Sequence, residues 1–410
     1  MNLLLSTKGS DVTAWRGVED FAASYRQALL NRAASDLCGN SESAFSEAAA
    51  ALETSIATHQ TLLQQLNSLI EKMHTTPLSR LNGLSVTFYS DLYSHFGLFR
   101  SASAFYQLSM TFLKSLSATI VTQTAEQLDM SVHHLPEFSL IALGPAGRCE
   151  YSPFQPLQML LVHGKATGAP LQSINIFCHA LHAGFEEAGL SVDPIVTPQN
   201  PGWRGNVSEW RQRCVEKLHP RSDEDDIELY RLVDQFPLFS TDSFSRELKQ
   251  ISNSLLGANR SGVADLVKRM GELSNGIGIM GGLKLERSGS ERGLFRLLDH
   301  GLLPFSAALT ALALIKGSMA ESSCERIHDL LKRGVLDVEL AETMLSTWHN
   351  LHALRLWQEQ SFRLDEHTSH TAFLNPDDLT PEQRQSLKKS LESVAGIQRH
   401  VEIIFSGIGE

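Results

Sequence analysis

Cysteine is scarce and scattered: Cys38, Cys149, Cys178, Cys214 and Cys324 are the five among 410 residues, and no two form a Cys-x-x-Cys pair. That argues against a disulfide framework and a cysteine-ligated zinc, and fits reduced thiols in a cytoplasmic protein. Positive charge is in deficit too, with a formal net charge of −11 at pH 7. A nucleic-acid partner needs a basic surface to replace phosphate counterions, so none is expected. Long apolar runs are missing. The most apolar late stretch, GLLPFSAALTALALIKG (301–317), carries Pro304 near its start and falls short of a membrane span, so it reads as a buried helix without membrane contact. The opening MNLLLSTKGSD has too short an apolar run for a secretory signal, and no basic leader.

What remains is the composition of a globular chain, 42% apolar and 20% charged, long enough for two or three domains. The spacing predicts an α+β protein in three parts. Residues 1–130 read as an N-terminal helical bundle, rich in Ala, Leu, Glu and Gln with apolar residues at helical spacing. Residues 131–300 change character. FSLIALG (138–144) and LQMLLVHG (157–164) predict strands, LQSINIFCHALHAGFEEA (171–188) an amphipathic helix stopped by Gly189, and LSVDPIV (190–196) a third strand at an edge because of Pro194. GIGIMGGLKLERSGSERGLFRLL (276–298) reads as one or two more strands around a Ser-Gly turn. Residues 301–410 predict a C-terminal helical domain, its last helix opened by a capping box with Thr380 as N-cap, Pro381 at the first position and Gln383 three residues on.

The stretch GPAGRCEYSPFQPLQMLLV (144–162) sets a Gly-rich turn and an Arg-x-Glu between the two predicted strands. With its preceding strand it resembles the active-site strand–turn–strand of the polymerase-β-type nucleotidyltransferase superfamily. More narrowly, it resembles the nucleotidyltransferase family related to the protein-PII uridylyltransferase. NPGWRGNVSEWRQR (200–213), LVDQFPLFSTDSFSREL (232–248), GLFRLLDHGLLPFSAALTALAL (293–314) and the helices after LNPDDLTPEQ (374–383) are similar to further segments of that family in the same order, covering about 130–410. The resemblance implies a small mixed-sheet nucleotidyltransferase-like domain at 131–300. It also implies a turn of the form Gly-Ser-x-x-Arg-x-Glu that seats a triphosphate, and three carboxylates that hold Mg²⁺.

This chain departs from that pattern. Gly144 and Gly147 remain, as do Arg148 and Glu150, but Pro145 stands at the serine position and brings neither hydroxyl nor N–H. The Asp-x-Asp positions are Pro156 and Gln158, and the third carboxylate aligns with Arg296. Mg²⁺ is a hard cation that wants carboxylate and phosphate oxygens, and two-metal phosphoryl transfer depends on them. No catalytic residue, metal ligand or resident cofactor is therefore expected, and the chain reads as a pseudoenzyme. Glu150, Asp234, Glu286 and Asp299 are the carboxylates that could have migrated in, yet none has the alternating spacing that puts two on one strand face.

Gly144, Gly147, Arg148, Glu150 and Arg296 are the nucleotide-binding candidates, with Arg148 and Arg296 either forming a metal-free cationic pocket or pairing with nearby carboxylates. The expected function is regulatory, in signal transduction, with a nucleotide or a protein docked on the helical regions as partner and a homodimer open. The alternatives are an active Mg²⁺-dependent enzyme that transfers a nucleoside monophosphate to a protein, and a purely structural helical adaptor. Among other residues, Asp365, Glu366, His367 and His370 read as a solvated loop, and His133 and His134 as residues without a special role. His179 and His182 read as helix histidines, and Trp203, Arg204 and Trp210 as packing groups. Cys149 sits beside Arg148, which would lower its pKa, but no His-Asp relay accompanies it.

Overall fold

The computed structural model describes residues 67–130, 135–217, 231–278, 281–362 and 372–407, and a few isolated positions besides. Most of the predicted bundle before residue 67 lies outside them, as do His133, His134 and the stretch 365–370.

Two long helices, α1 (Leu78–Phe99) and α2 (Ala102–Gln127), form an antiparallel hairpin whose sharp corner is Arg100 in the left-handed region and Ser101 as N-cap. Strand β1 (Phe138–Leu143) follows, then a single helical turn, α3 (Gly144–Gly147), and β2 (Gln158–His163). After α4 (Ala169–Glu187) come β3 (Arg204–Asn206), α5 (Val207–Lys217) and β4 (Gln235–Ser240). The sheet order is β3-β2-β1-β4, with β1 antiparallel to both neighbours and β3 parallel to β2. All six residues of β1 are buried. Helix α2 lies against β4, and α6 (Phe244–Ala258) lies against β1, β2 and β4. β4 is an edge strand and carries Pro237, where a ladder tolerates a residue without an N–H.

The C-terminal part is helical: α7 (Arg260–Glu272), α8 (Leu303–Ile315), α9 (Ser323–Lys332), α10 (Val338–Glu359) and α11 (Pro381–Gly407). A two-stranded ladder, β5 (Phe295–Arg296) with β6 (Phe373–Leu374), sits apart from the main sheet. One described stretch, Leu298–Ile315, is long and apolar enough to cross a membrane, and 67% of it is buried inside the protein.

The expected α+β layout is present. β1, β2 and α4 fall within two residues of their predicted bounds, and Gly189 takes φ +82° after α4. The capping box is formed in both directions, Gln383 N–H to Thr380 Oγ1 at 3.2 Å and Thr380 N–H to Gln383 Oε1 at 2.9 Å. The 190–196 segment differs from the expected strand. It makes one parallel bridge, Val192 to Leu157, because Asp193 turns its carboxylate onto the N–H groups of Ile195 and Val196 and bends the chain out of the ladder. The 276–298 segment is likewise mostly isolated bridges, with β5 its one short strand.

Candidate functional site

The site begins with two glycines. Gly144 has φ +59°, a conformation costly for any side chain, and this turns the chain sharply off the end of β1. At Gly147 a Cβ would stand 2.2 Å from the carbonyl oxygen of Asp234, so the turn is pressed directly onto the backbone that leads into β4. The amides that follow the turn are bonded back to its carbonyls. Arg148 N–H bonds the carbonyls of Gly144 and Pro145, Cys149 N–H that of Ala146, and Glu150 N–H that of Pro145 at 2.8 Å.

The Arg-x-Glu points inward. Arg148 donates from Nε to Glu150 at 3.1 Å and from Nη1 to Asp234 at 2.6 Å. The other oxygen of Asp234 accepts from Arg326 of α9 at 2.6 Å, and Arg326 is 1% exposed. Arg326 also donates to the Val233 and Ala320 carbonyls. Glu150 accepts from Trp348 Nε1 at 2.7 Å and from the Ser323 hydroxyl. One turn further along α10, His352 Nδ1 meets the Tyr106 hydroxyl at 2.8 Å, and its Nε2 lies 3.6 Å from Glu150. A second pair continues the line: Arg355 binds Glu359 at 2.7 Å, Ser152 bridges both, and Tyr93 donates to Glu359 at 2.8 Å. Residues from α1, α2, the turn after β1, the entry to β4, α9 and α10 thus meet in one buried polar seam. Its ions are held because each charge has an opposite charge and hydrogen bonds to replace water.

The electrostatics follow. Burial alone would raise the Glu150 carboxyl, but Arg148, His352 and Ser323 together hold it well below the usual carboxylate range. Burial lowers His352, outweighing the pull of Glu150, so the imidazole is neutral; Tyr106 O–H then donates to Nδ1 and Nε2–H faces the carboxylate. Both shifts are downward, so the unfolded chain binds more protons than the folded one wherever either group titrates, and stability falls as pH falls. The decline is expected to begin as pH drops below roughly 6.5, the unfolded value for histidine, and to steepen below roughly 4.3, that for glutamate. Urea midpoints measured between pH 8 and pH 4 check this. The wild-type slope above pH 5 should shrink in His352→Gln; an unchanged slope would remove His352 from the account.

The remaining predicted residues sit elsewhere. Gln158 opens β2 opposite Leu143, and its Oε1 lies 2.8 Å from where a Cβ on Gly144 would be. Its Nε2 donates to Asp193 at 2.9 Å. Burial pushes the Asp193 carboxyl up, but the N–H groups of Val196 and Ile195 and the Gln158 amide pull it below its ordinary value. Pro156 is exposed. So at the Asp-x-Asp positions this chain has an exposed proline and an amide bonded to one carboxylate, and among the described residues no three of His, Cys, Asp and Glu converge as metal ligands would.

The structure does not bring Arg296 to Arg148. Arg296 stands on β5, bonded to Glu286 at 2.7 Å and Asp299 at 3.3 Å, with its guanidinium over Phe373. Cys149 is corrected: burial raises its thiol well above the ordinary range, and Glu321 and Glu325 add to this despite the neighbouring arginine. The tryptophans pack as expected, with Trp210 buried and in ring contact with Trp203, and Arg204 ties down the Pro198 and Gln199 carbonyls. His182 bonds Thr197 at 3.0 Å.

Asp193, Arg326, Trp348, His352, Arg355 and Glu359 were missed by sequence reasoning. A signal existed for the last four. In WHNLHALRLWQE they recur at intervals of four, three and four, a polar row on the buried side of α10.

A helical scaffold surrounds a small mixed sheet, with a Gly-rich turn between its first two strands. Two family matches say what kind of protein this layout belongs to, a nucleotidyltransferase-type one. Residues 94–224 match the family described as putative nucleotidyltransferase DUF294, and residues 261–405 match its companion, described as a putative nucleotidyltransferase substrate binding domain. Together they take in more than half of the chain, which belongs to this nucleotidyltransferase family. No curated protein sequence matches the chain.

Proposed function

We propose that this chain is a family member that has given up metal-dependent transfer and works as a cytoplasmic regulatory module in signal transduction. The observation that carries this is the pair Gln158 and Asp193: at a position where the resembled pattern has a carboxylate for Mg²⁺, an amide stands instead and donates to Asp193. The seam supports it from the other side. Arg148 and Glu150 are spent on joining α9 and α10 to the turn, and Arg296 on Glu286 and Asp299, which leaves the helical surfaces as the means of meeting a protein partner. Asp193 favours one rival, an active Mg²⁺-dependent enzyme, because it supplies one oxygen ligand next to the turn.

Calorimetric titration of ATP, UTP, GTP and CTP into the full chain, first with Mg²⁺ and then with EDTA, separates the two readings. A parallel assay follows transfer of radiolabelled nucleoside monophosphate to protein. The expected result is no transfer and no binding that depends on the metal. Mg²⁺-dependent binding or labelling that is lost in Asp193→Ala would overturn the reading.

A further inference from the structure

A solvent-open cleft of about 630 Å³ runs along the free edge of β4, between α2, the start of α6 and the turn before α9. It lies across β1 from Gln158, and Lys249 in its lining is close enough to Cys149 and Asp234 to feel their charge, so the cleft backs onto the segment that packs behind the Gly-rich turn. Three cationic side chains line it, Lys114, Arg246 and Lys249, against two carboxylates, Asp242 and Glu321. Lys249 is the unusual one. It is 7% exposed, and its closest partner is the Gln235 carbonyl at 3.5 Å, the outer limit of a hydrogen bond. Burial pulls its ammonium below the ordinary lysine range while Glu321 pulls the other way, and an anion arriving beside it would further oppose the burial effect.

One further feature faces the same space. The first backbone bonds of α6 run from Arg246 and Glu247 to the Ser243 carbonyl, and the Ser243 N–H is taken by the Asp242 carboxylate, which leaves the amides of Phe244 and Ser245 at the positive end of the helix.

We propose that this cleft binds a small metabolite that carries an anionic group, phosphate or carboxylate, for Lys249, Arg246 and the start of α6. The volume suits a ligand of metabolite size. The two carboxylates at the rim set a limit on charge, because they repel a polyanion such as a nucleoside triphosphate while accepting a compact, partly zwitterionic one.

The test is calorimetric titration of the full chain with three probes: inorganic phosphate, serine and O-phosphoserine, which carries both anions. O-phosphoserine is expected to bind saturably, and Arg246→Glu, at an exposed position, to weaken it roughly tenfold or more while leaving the thermal midpoint near wild type. Binding of phosphate without serine assigns the anion as phosphate, and the reverse assigns it as carboxylate. No saturable heat from any probe, or titrations insensitive to Arg246→Glu, would overturn the proposal.

Discussion

Asp234→Ala is expected to destabilise the protein by about 3–5 kcal/mol, the loss typical of removing one partner from a buried ionic group. Asp234 binds Arg148 through one oxygen and Arg326 through the other, each at 2.6 Å, and Thr310 also contacts it. Alanine leaves Arg326 with two carbonyls and the Thr310 hydroxyl, and Arg148 with Glu150 alone, two cations that cannot shed their charge. The cost is therefore that of stranded charge, well above the loss of one contact. Urea denaturation followed by far-UV circular dichroism measures it. Arg296→Ala is the contrast, because its ion pairs are solvent-exposed and screened, and the midpoint should hardly move. Equal losses in the two variants would mean that the seam does not fasten the turn to the helices.

Gly147→Ala carries the second large effect. The new Cβ would lie 2.2 Å from the carbonyl oxygen of Asp234 and 3.0 Å from that of Ala142. Both obstacles are backbone atoms of packed segments, so neither can swing aside as a side-chain tip could. Relief requires moving the turn off β4, which also lengthens the Arg148–Asp234 bond. Overpacking of this kind costs about 3 kcal/mol. Gly202→Ala serves as control: nothing lies within 4 Å of its Cβ position, and removing glycine's freedom in the unfolded chain makes it neutral or slightly stabilising, by up to roughly 1 kcal/mol. Thermal melts of the two variants should part clearly; coincident melts would sink the close-packing account of the turn.

What could be read from the sequence was what local order encodes. Continuous apolar runs stopped by Gly144 and Gly164 marked β1 and β2, Gly189 marked the end of α4, and Thr380 with Gln383 marked the start of α11. That Pro156 and Gln158 stand where the resembled pattern has Asp-x-Asp was likewise visible. The short strand β3 was not, because three residues, Arg204 to Asn206, carry no alternation to detect. Nor was the seam. Tyr93 and Glu359 are 266 residues apart, and Arg326 and Asp234 are 92 apart, so their meeting is a property of packing. The same distance hid Arg148's role: adjacency to Glu150 in the motif could not tell a phosphate ligand from half of an internal ion pair. Arg296 shows the converse, an alignment position that the fold has carried onto a separate ladder.

The Gln158–Asp193 hydrogen bond works as an electrostatic interlock. A Gln158→Asp substitution would exchange a donor for an anion within about 3 Å of Asp193, where opposed carboxylates repel and one must take up a proton unless a cation is already seated. Pro156 supplies no second anion to attract that cation, so a single carboxylate installed at position 158 is penalised by its neighbour until another change brings the cation in.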